Sequence, residues 1–251
     1  MSKIRLDKYL VQLKLVDNID LARSLIIQGK VYINQKVSIK PGTQISPNSP
    51  GPLDIIIKQP KHDYVSRGAL KLIAALEHFN IDPQDLICLD IGASTGGFTE
   101  VLLRKKAKKI FAVDVGYGEL HYKLRNNPTI SVIERTNARY LTINQITLPP
   151  DLIVCDASFI SLTKILPTSI ELASSTCRLV ALIKPQFEVG KTEVGIGGIV
   201  RDSFLRQRVC DEIKHWLESY NFNIYGIIPS PILGAKGNQE FLIYGQKLPK
   251  N

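Results

Sequence analysis

The stretch Leu89-Asp90-Ile91-Gly92-Ala93-Ser94-Thr95-Gly96-Gly97-Phe98-Thr99-Glu100 sets a glycine-rich turn between an apolar run and a helical one. Glycine lets backbone approach a ligand closely, and a helix start offers free N–H groups and a positive dipole end. This is the chemistry of binding a nucleoside-bearing cofactor at the edge of a parallel sheet. A second apolar run, Lys109 to Asp114, ends in a carboxylate 24 residues after Asp90, a placement suited to ribose hydroxyls. Two later runs also end in charge: Ile153-Val154-Cys155-Asp156 and Leu179-Val180-Ala181-Leu182-Ile183-Lys184. Glu240 opens the last apolar run, and Lys71 lies in Ser66-Arg67-Gly68-Ala69-Leu70-Lys71-Leu72, ahead of the first. Ligands of open α/β sheets gather at the carboxyl ends of the strands, so these four charged groups are the candidates for positioning and proton transfer.

The glycine spacing narrows the cofactor. A dinucleotide fingerprint reads G-x-G-x-x-G, whereas Gly92, Gly96 and Gly97 read G-x-x-x-G-G with an Asp two residues ahead. The pattern resembles motif I of S-adenosylmethionine-dependent methyltransferases. That resemblance implies S-adenosyl-L-methionine held by Asp90, Gly92, Ala93, Ser94, Thr95, Gly96, Gly97 and Phe98. Asp114 is expected on its ribose, with Asn137 and Asp156 as further contacts. Cys155, beside Asp156, invites comparison with a cytosine-C5 nucleophile, but strand alternation turns it to the opposite face, as a core thiol. Asp156-Ala157-Ser158-Phe159 lacks the paired prolines common in enzymes that methylate base amino groups.

The elements that must carry these groups fall into two parts. With 251 residues, 44% hydrophobic and 22% charged, the chain is an ordinary globular protein. It has no run of 18 apolar residues and no signal-peptide core, so a cytoplasmic location is expected, without a membrane. Its four cysteines show no metal-binding or disulfide spacing. The net charge is +9, and residues 1 to 60 carry nine Lys or Arg against four Asp, a density suited to a polyanion. Two helix-periodic stretches (Leu6, Tyr9, Leu10, Leu13; Leu21, Leu25, Ile26), a C′ glycine at Gly29 and a hairpin through Asn34-Gln35 predict a small α+β domain over 1–60. Residues 61–65 are the expected linker. From Ser66 to 251 strands alternate with helices, predicting a Rossmann-like α/β domain with strands at 86–91, 109–115, 130–134, 151–156, 178–184, 223–228 and 240–245.

The small domain, through Arg5-Leu6-Asp7-Lys8-Tyr9-Leu10, Ala22-Arg23-Ser24-Leu25-Ile26 and Gly29-Lys30-Val31-Tyr32-Ile33-Asn34, resembles the S4 RNA-binding domain. The resemblance implies that Arg5, Lys8, Arg23 and Lys30 face RNA. With SRGALKL, LDIGASTGGFTE, VDVGYGEL, CDASFISL, IKPQFE and GNQEFLIYG, the whole chain resembles the TlyA (haemolysin A) family, which joins an S4 domain to an FtsJ-like methyltransferase. Lys61-His62-Asp63-Tyr64 maps onto no pattern of that family. The family resemblance implies 2′-O-methylation of cytidine in the ribosomal RNA of ribosomal subunits, with no obligate protein partner. It also implies a last strand inserted antiparallel, and Lys71, Asp156, Lys184 and Glu240 as the catalytic set. A ribose hydroxyl is scarcely ionised at neutral pH, and Lys184 is the candidate base that activates it. A neighbouring ammonium or sulfonium disfavours protonated lysine and a carboxylate favours it, so the balance stays open. Arg67 and Lys236 are further candidates for RNA contact, and the glycine-rich segment Glu188 to Arg201 is either a lid on RNA or a surface connection. A noncatalytic ribosome-binding factor and a haemolysin acting on membranes are the competing readings.

Overall fold

In the computed structural model, residues 3–16, 18–27, 29–47, 53–57 and 63–249 are described. The chain divides into two compact units, Met1–Asp63 and Tyr64–Asn251. Tyr64 and Val65, expected in the linker, instead pack within the second unit. The Val65 N–H donates to the Glu100 carboxylate at 2.6 Å, and the Arg104 guanidinium lies 4.2 Å from the Tyr64 ring centre. Residues 61 and 62 of that linker lie outside the described residues.

The first unit runs β1 (Ile4–Arg5), α1 (Leu6–Gln12), α2 (Ile19–Ile27), β2 (Val31–Ile33), β3 (Lys36–Ser38), β4 (Gln44–Ile45) and β5 (Ile55–Ile57). Helix α2 ends where Gly29, at φ +66°, donates to the Ile26 carbonyl and Lys30 donates to that of Leu25, the paired bonds of a glycine-terminated helix. Asn34 and Gln35 both take positive φ, which matches the turn to the twist of the β2–β3 hairpin. Leu6, Leu10, Ala22, Ile26 and Val31 fill the core, while Leu13, placed by periodicity on the same face, ends α1 and is 43% exposed. Within this core Asp7 is fully buried. Its carboxylate accepts from Arg5 at 2.6 and 3.1 Å, from Arg23 at 3.2 Å and from the Lys8 N–H at 2.9 Å.

The second unit contains α3 (Ala69–His78), β6 (Ile87–Ile91), α4 (Gly97–Arg104), β7 (Lys109–Val113), α5 (Tyr122–Arg125), β8 (Ile130–Ile133), β9 (Leu152–Cys155), α6 (Leu162–Ile165), α7 (Pro167–Leu172), β10 (Arg178–Ile183), α8 (Pro185–Glu188), α9 (Ser203–Ser219), β11 (Phe222–Pro229) and β12 (Phe241–Lys247). Its seven strands form one sheet in the order β11-β12-β10-β9-β6-β7-β8, parallel except for β12, which inserts antiparallel between β11 and β10. Strands buried on both faces have no polar face to show, hence near-continuous runs such as LVALI. Period-two alternation then sorts them. Leu89, Ile153, Ala181 and Ile243 face α9, whereas Cys88, Val154, Leu182 and Leu242 face α3 and α4.

Arg5 hydrogen bonding, helped by Arg23 and the Lys8 N–H, holds the Asp7 carboxyl down to about 2 against the opposing effect of burial. A depressed carboxyl stabilises the fold above its unfolded value near 3.8, and that contribution disappears as the pH falls through about 2. Asp7→Asn should therefore cost the first unit about 3 kcal/mol at neutral pH. The deficit relative to wild type should begin to shrink below about pH 4 and be largely gone by about pH 2, as followed by denaturant unfolding at several pH values.

Candidate active site

Alternation puts Asp156 on the face of Leu152 and Val154, Lys184 on that of Val180 and Leu182, and Glu240 on that of Leu242 and Tyr244. This is the face covered by α3, which brings Lys71. The Lys71 Nζ lies 2.8 Å from Glu240 Oε2 and 3.5 Å from Asp156 Oδ2. The other Asp156 oxygen is 2.6 Å from Lys184 Nζ, a close ion pair that is not aligned as a hydrogen bond. Lys184 also donates to the Asp156 carbonyl at 3.1 Å and to Ser158 Oγ at 2.8 Å. Lys184 thus makes two hydrogen bonds and one ion-pair contact. Lys71, Lys184 and Glu240 are buried, and the set is charge-balanced, two cations against two carboxylates. Gly234 is required beside it, because a Cβ there would overlap the Glu240 carboxylate.

Two cavities meet over Asp156. One, of about 390 Å³, is lined by the four charged residues, the loop residues Gly92, Ala93, Ser94, Thr95, Gly97 and Phe98, and Arg67, which is exposed. The second, of about 530 Å³, contains Asp114, Glu119 and Asn137 among apolar walls from Ile91, Val113, Ile160 and Ile165. Gly92, Ser94, Asp156, Ser158 and Phe159 line both. Asp114 ties the two loops of this region together, accepting from the Ser94 N–H at 2.8 Å and the Gly116 N–H at 2.7 Å. Asn137 caps a short 3₁₀ turn by accepting from the Arg139 N–H.

Two expected cofactor contacts lie elsewhere. Gly96 lines neither cavity: it takes φ +98° at the start of α4, its N–H is spent on the Ala93 carbonyl, and a Cβ would collide with Leu124 and reach 2.9 Å from Leu120. Asp90 is fully buried beneath the loop, accepting from the Thr99 hydroxyl at 2.5 Å, with Oδ1 unpartnered. Burial pushes its carboxyl up to about 7, opposed by Thr99. Lys236 is exposed and lines neither cavity, on the loop that leads to Glu240. Cys155 is fully buried and its thiol is pushed up to about 12 by desolvation, which suits a core residue.

Sequence reasoning passed over Ser158, Glu119 and an aromatic pair. Phe159 is 89% exposed at φ +65°, with its ring 5.0 Å from that of Phe187, and both line the first cavity. Ser158 was discoverable, being two residues beyond Asp156 and therefore on its face. The Phe159–Phe187 contact joins segments 28 residues apart and leaves no local signal.

Gly96→Val should lower stability by about 1–3 kcal/mol, since it strains a left-handed residue and displaces two leucines, and thermal unfolding measures this. Asp90 behaves in the opposite sense to Asp7. A raised carboxyl loses its stabilising contribution as the pH rises from its unfolded value near 3.8 through about 7, so wild type should lose stability relative to Asp90→Asn between about pH 4 and 7 and level off above.

The FtsJ-like methyltransferase family matches residues 64–247 and the S4 domain residues 4–49. The chain is 43% identical over 242 residues to the 16S/23S rRNA (cytidine-2′-O)-methyltransferase TlyA of Mycobacterium tuberculosis, covering 96% of this chain and 89% of that protein. It is 38% identical to Hemolysin A of Brachyspira hyodysenteriae, covering 96% and 99% respectively. A solved Streptococcus thermophilus structure that carries a hemolysin name superposes with a TM-score of 0.75 at 38% identity, covering 100% of this chain and 91% of its own. Among the described residues no helix is long and apolar enough to cross a membrane. With an S4 domain, an FtsJ-like methyltransferase domain and this identity over nearly its full length, the chain belongs to the TlyA family.

Proposed function

We propose that this chain methylates the 2′-hydroxyl of a cytidine in ribosomal RNA, with S-adenosylmethionine as donor. The observation that carries this reading is the Lys71–Asp156–Lys184–Glu240 set, buried but for Asp156, beneath a cavity that opens beside the exposed Phe159 ring and its neighbour Phe187. The printed activity of the Mycobacterium tuberculosis relative supports it.

The second cavity fits the donor's nucleoside. Its aliphatic walls suit an adenine face, and the Asp114 and Glu119 carboxylates suit ribose hydroxyls. Ala93, Ser94, Thr95, Gly97 and Phe98 would hold the methionine end, next to Asp156. When bound, S-adenosylmethionine supplies an electrophilic methyl group. Held in place by the Asp156 carboxylate, the Asp156 carbonyl and Ser158, Lys184 Nζ first gives up its own proton to solvent through the open cavity and then, as the neutral amine, takes the proton of the 2′-hydroxyl. Lys71, anchored by Glu240, offers a cation to the charge developing on oxygen and fixes the second oxygen of Asp156. Phe159 and Phe187 give the extruded base a stacking surface. In the first unit, Asp7 holds the half-exposed Arg5 and Arg23 guanidiniums in fixed positions for phosphates, with Lys8 exposed beside them and Lys30 as a further contact.

Incubation with labelled S-adenosylmethionine and separate ribosomal subunits should place label on a cytidine whose 3′ linkage becomes alkali-resistant. Label on a base, or none, would remove this reading. Lys184→Ala should keep cofactor binding by calorimetry while single-turnover transfer falls at least about 100-fold, and near-normal transfer would exclude Lys184 as the base. The double variant Lys8→Ala/Arg23→Ala should flatten the salt dependence of RNA binding, by roughly 0.7–0.9 in logarithmic slope per lost phosphate contact.

A further inference from the structure

Among the described residues the two most exposed large apolar side chains are Ile196, at 93%, and Phe159, at 89%. Phe159 has a place in the cavity mouth. Ile196 lines neither of the two cavities and joins neither apolar layer of the sheet. It stands at the tip of a tight turn in which Gly198 donates to the Gly195 carbonyl at 3.0 Å and Gly195 bridges to Ile199. Gly197 and Gly198 both take positive φ, so the turn is built around backbone that a side chain would strain, and nothing beside Ile196 shields it.

The turn is fastened to the catalytic wall. Asn238 is 2% exposed, and its amide donates to the Gly198 carbonyl at 2.9 Å and accepts from the Val200 N–H at 3.0 Å. The Asn238 carbonyl accepts from Gly234, whose missing side chain makes room for Glu240. The Ile196 turn is thus hydrogen-bonded through Asn238 to the loop that leads into Glu240, the residue that anchors Lys71. Lys236, exposed, brings its Nζ within 3.7 Å of where a Cβ on Gly198 would be, and Lys191 and Arg201, also exposed, stand five residues to either side of Ile196 along the chain. An apolar tip on a turn with a lysine beside it suits a nucleic acid better than a protein surface: a phosphate meets the charge, and the tip meets base faces.

Catalysis at a buried Lys184 requires the reacting nucleotide to leave its stack, which opens a gap in the RNA. We propose that Ile196 is a wedge that fills this gap, intercalating where the methylated nucleotide stood while Phe159 receives the extruded base. This inference rests on the ribose methyltransferase reading. It gives the glycine-rich segment a task other than covering the site: the turn is a fixed projection that stabilises the extruded state.

The test uses the full chain and RNA spanning the nucleotide mapped on ribosomal subunits, with 2-aminopurine as its stacked neighbour. At saturating wild-type protein the fluorescence should rise as stacking is lost. With Ile196→Ser most of that rise should disappear, and single-turnover methylation of the helical RNA should fall roughly tenfold or more, the scale of unstacking one step. On a single-stranded oligonucleotide of the same sequence the two proteins should react alike. Ile196→Leu should behave as wild type on both, which a mere loss of turn structure would not permit. An unchanged fluorescence rise with Ile196→Ser, or equal losses on helical and single-stranded RNA, would overturn the wedge. Because the fluorescence comparison needs no methyl transfer, its failure is separable from failure of the enzymatic reading, which would appear as no ribose label with wild type.

Discussion

Asp156 is a single carboxylate shared by two ammonium groups, and the cavity-bearing end of the sheet is organised around it. One oxygen faces Lys184 and the other Lys71, which in turn meets Glu240. Burying an unpaired charge costs several kcal/mol, so none of the four could sit here without the others. Pairing in a chain also fixes geometry: each lysine is pulled toward Asp156, and the two amino groups are presented side by side at the floor of one cavity. The cost of such a set in stability is accepted where it positions reacting groups, as local conflicts between burial and polarity commonly are at functional sites.

The sheet makes this arrangement possible by separating its two faces. Residues that point toward α9 form one apolar layer with Val209, Ile213 and Leu217, and those that point toward α3 form another. Only the second layer ends in charge. Its strands carry Asp156, Lys184 and Glu240 just beyond the last ladder pairs, so the apolar packing stops where the cavities begin. The antiparallel insertion of β12 is what brings Glu240 to this edge, since a parallel last strand would start at the other one. Pairing of Ile183 with Phe241 then sets Glu240 alongside Lys184.

The first unit uses the same physics for a different end. Asp7 is also a fully buried carboxylate bound to two cations, but Arg5 and Arg23 keep 42% and 48% of their side-chain surface in water. A planar guanidinium can satisfy one carboxylate and still present donors to a second oxyanion, which a three-donor ammonium enclosed by acceptors does not do as readily. The buried acid therefore produces anchored but available charges in one unit and sequestered ones in the other.

The sequence by itself determined the seven strands, the helix pair and hairpin of the first unit, the strand ends at which Asp156 and Lys184 lie, and the opposite facing of Cys155 and Asp156. All of these follow from periodicity, turn chemistry and the placement of charge at the ends of apolar runs, which are local properties. Motif resemblance added the antiparallel last strand. Tertiary structure alone decided which candidates touch. Gly96 and Gly97 are neighbours in one loop, yet one packs on Leu124 and the other lines the cavity, because the turn into α4 rotates them apart. Asp90 and Asp114 both stand at strand ends, yet Asp90 is sealed beneath Thr99 while Asp114 reaches the second cavity. Phe159 and Phe187, and Ile196 tied through Asn238 to the Glu240 loop, depend on contacts between distant segments. Such contacts are set by strand register and loop closure, which no local pattern encodes.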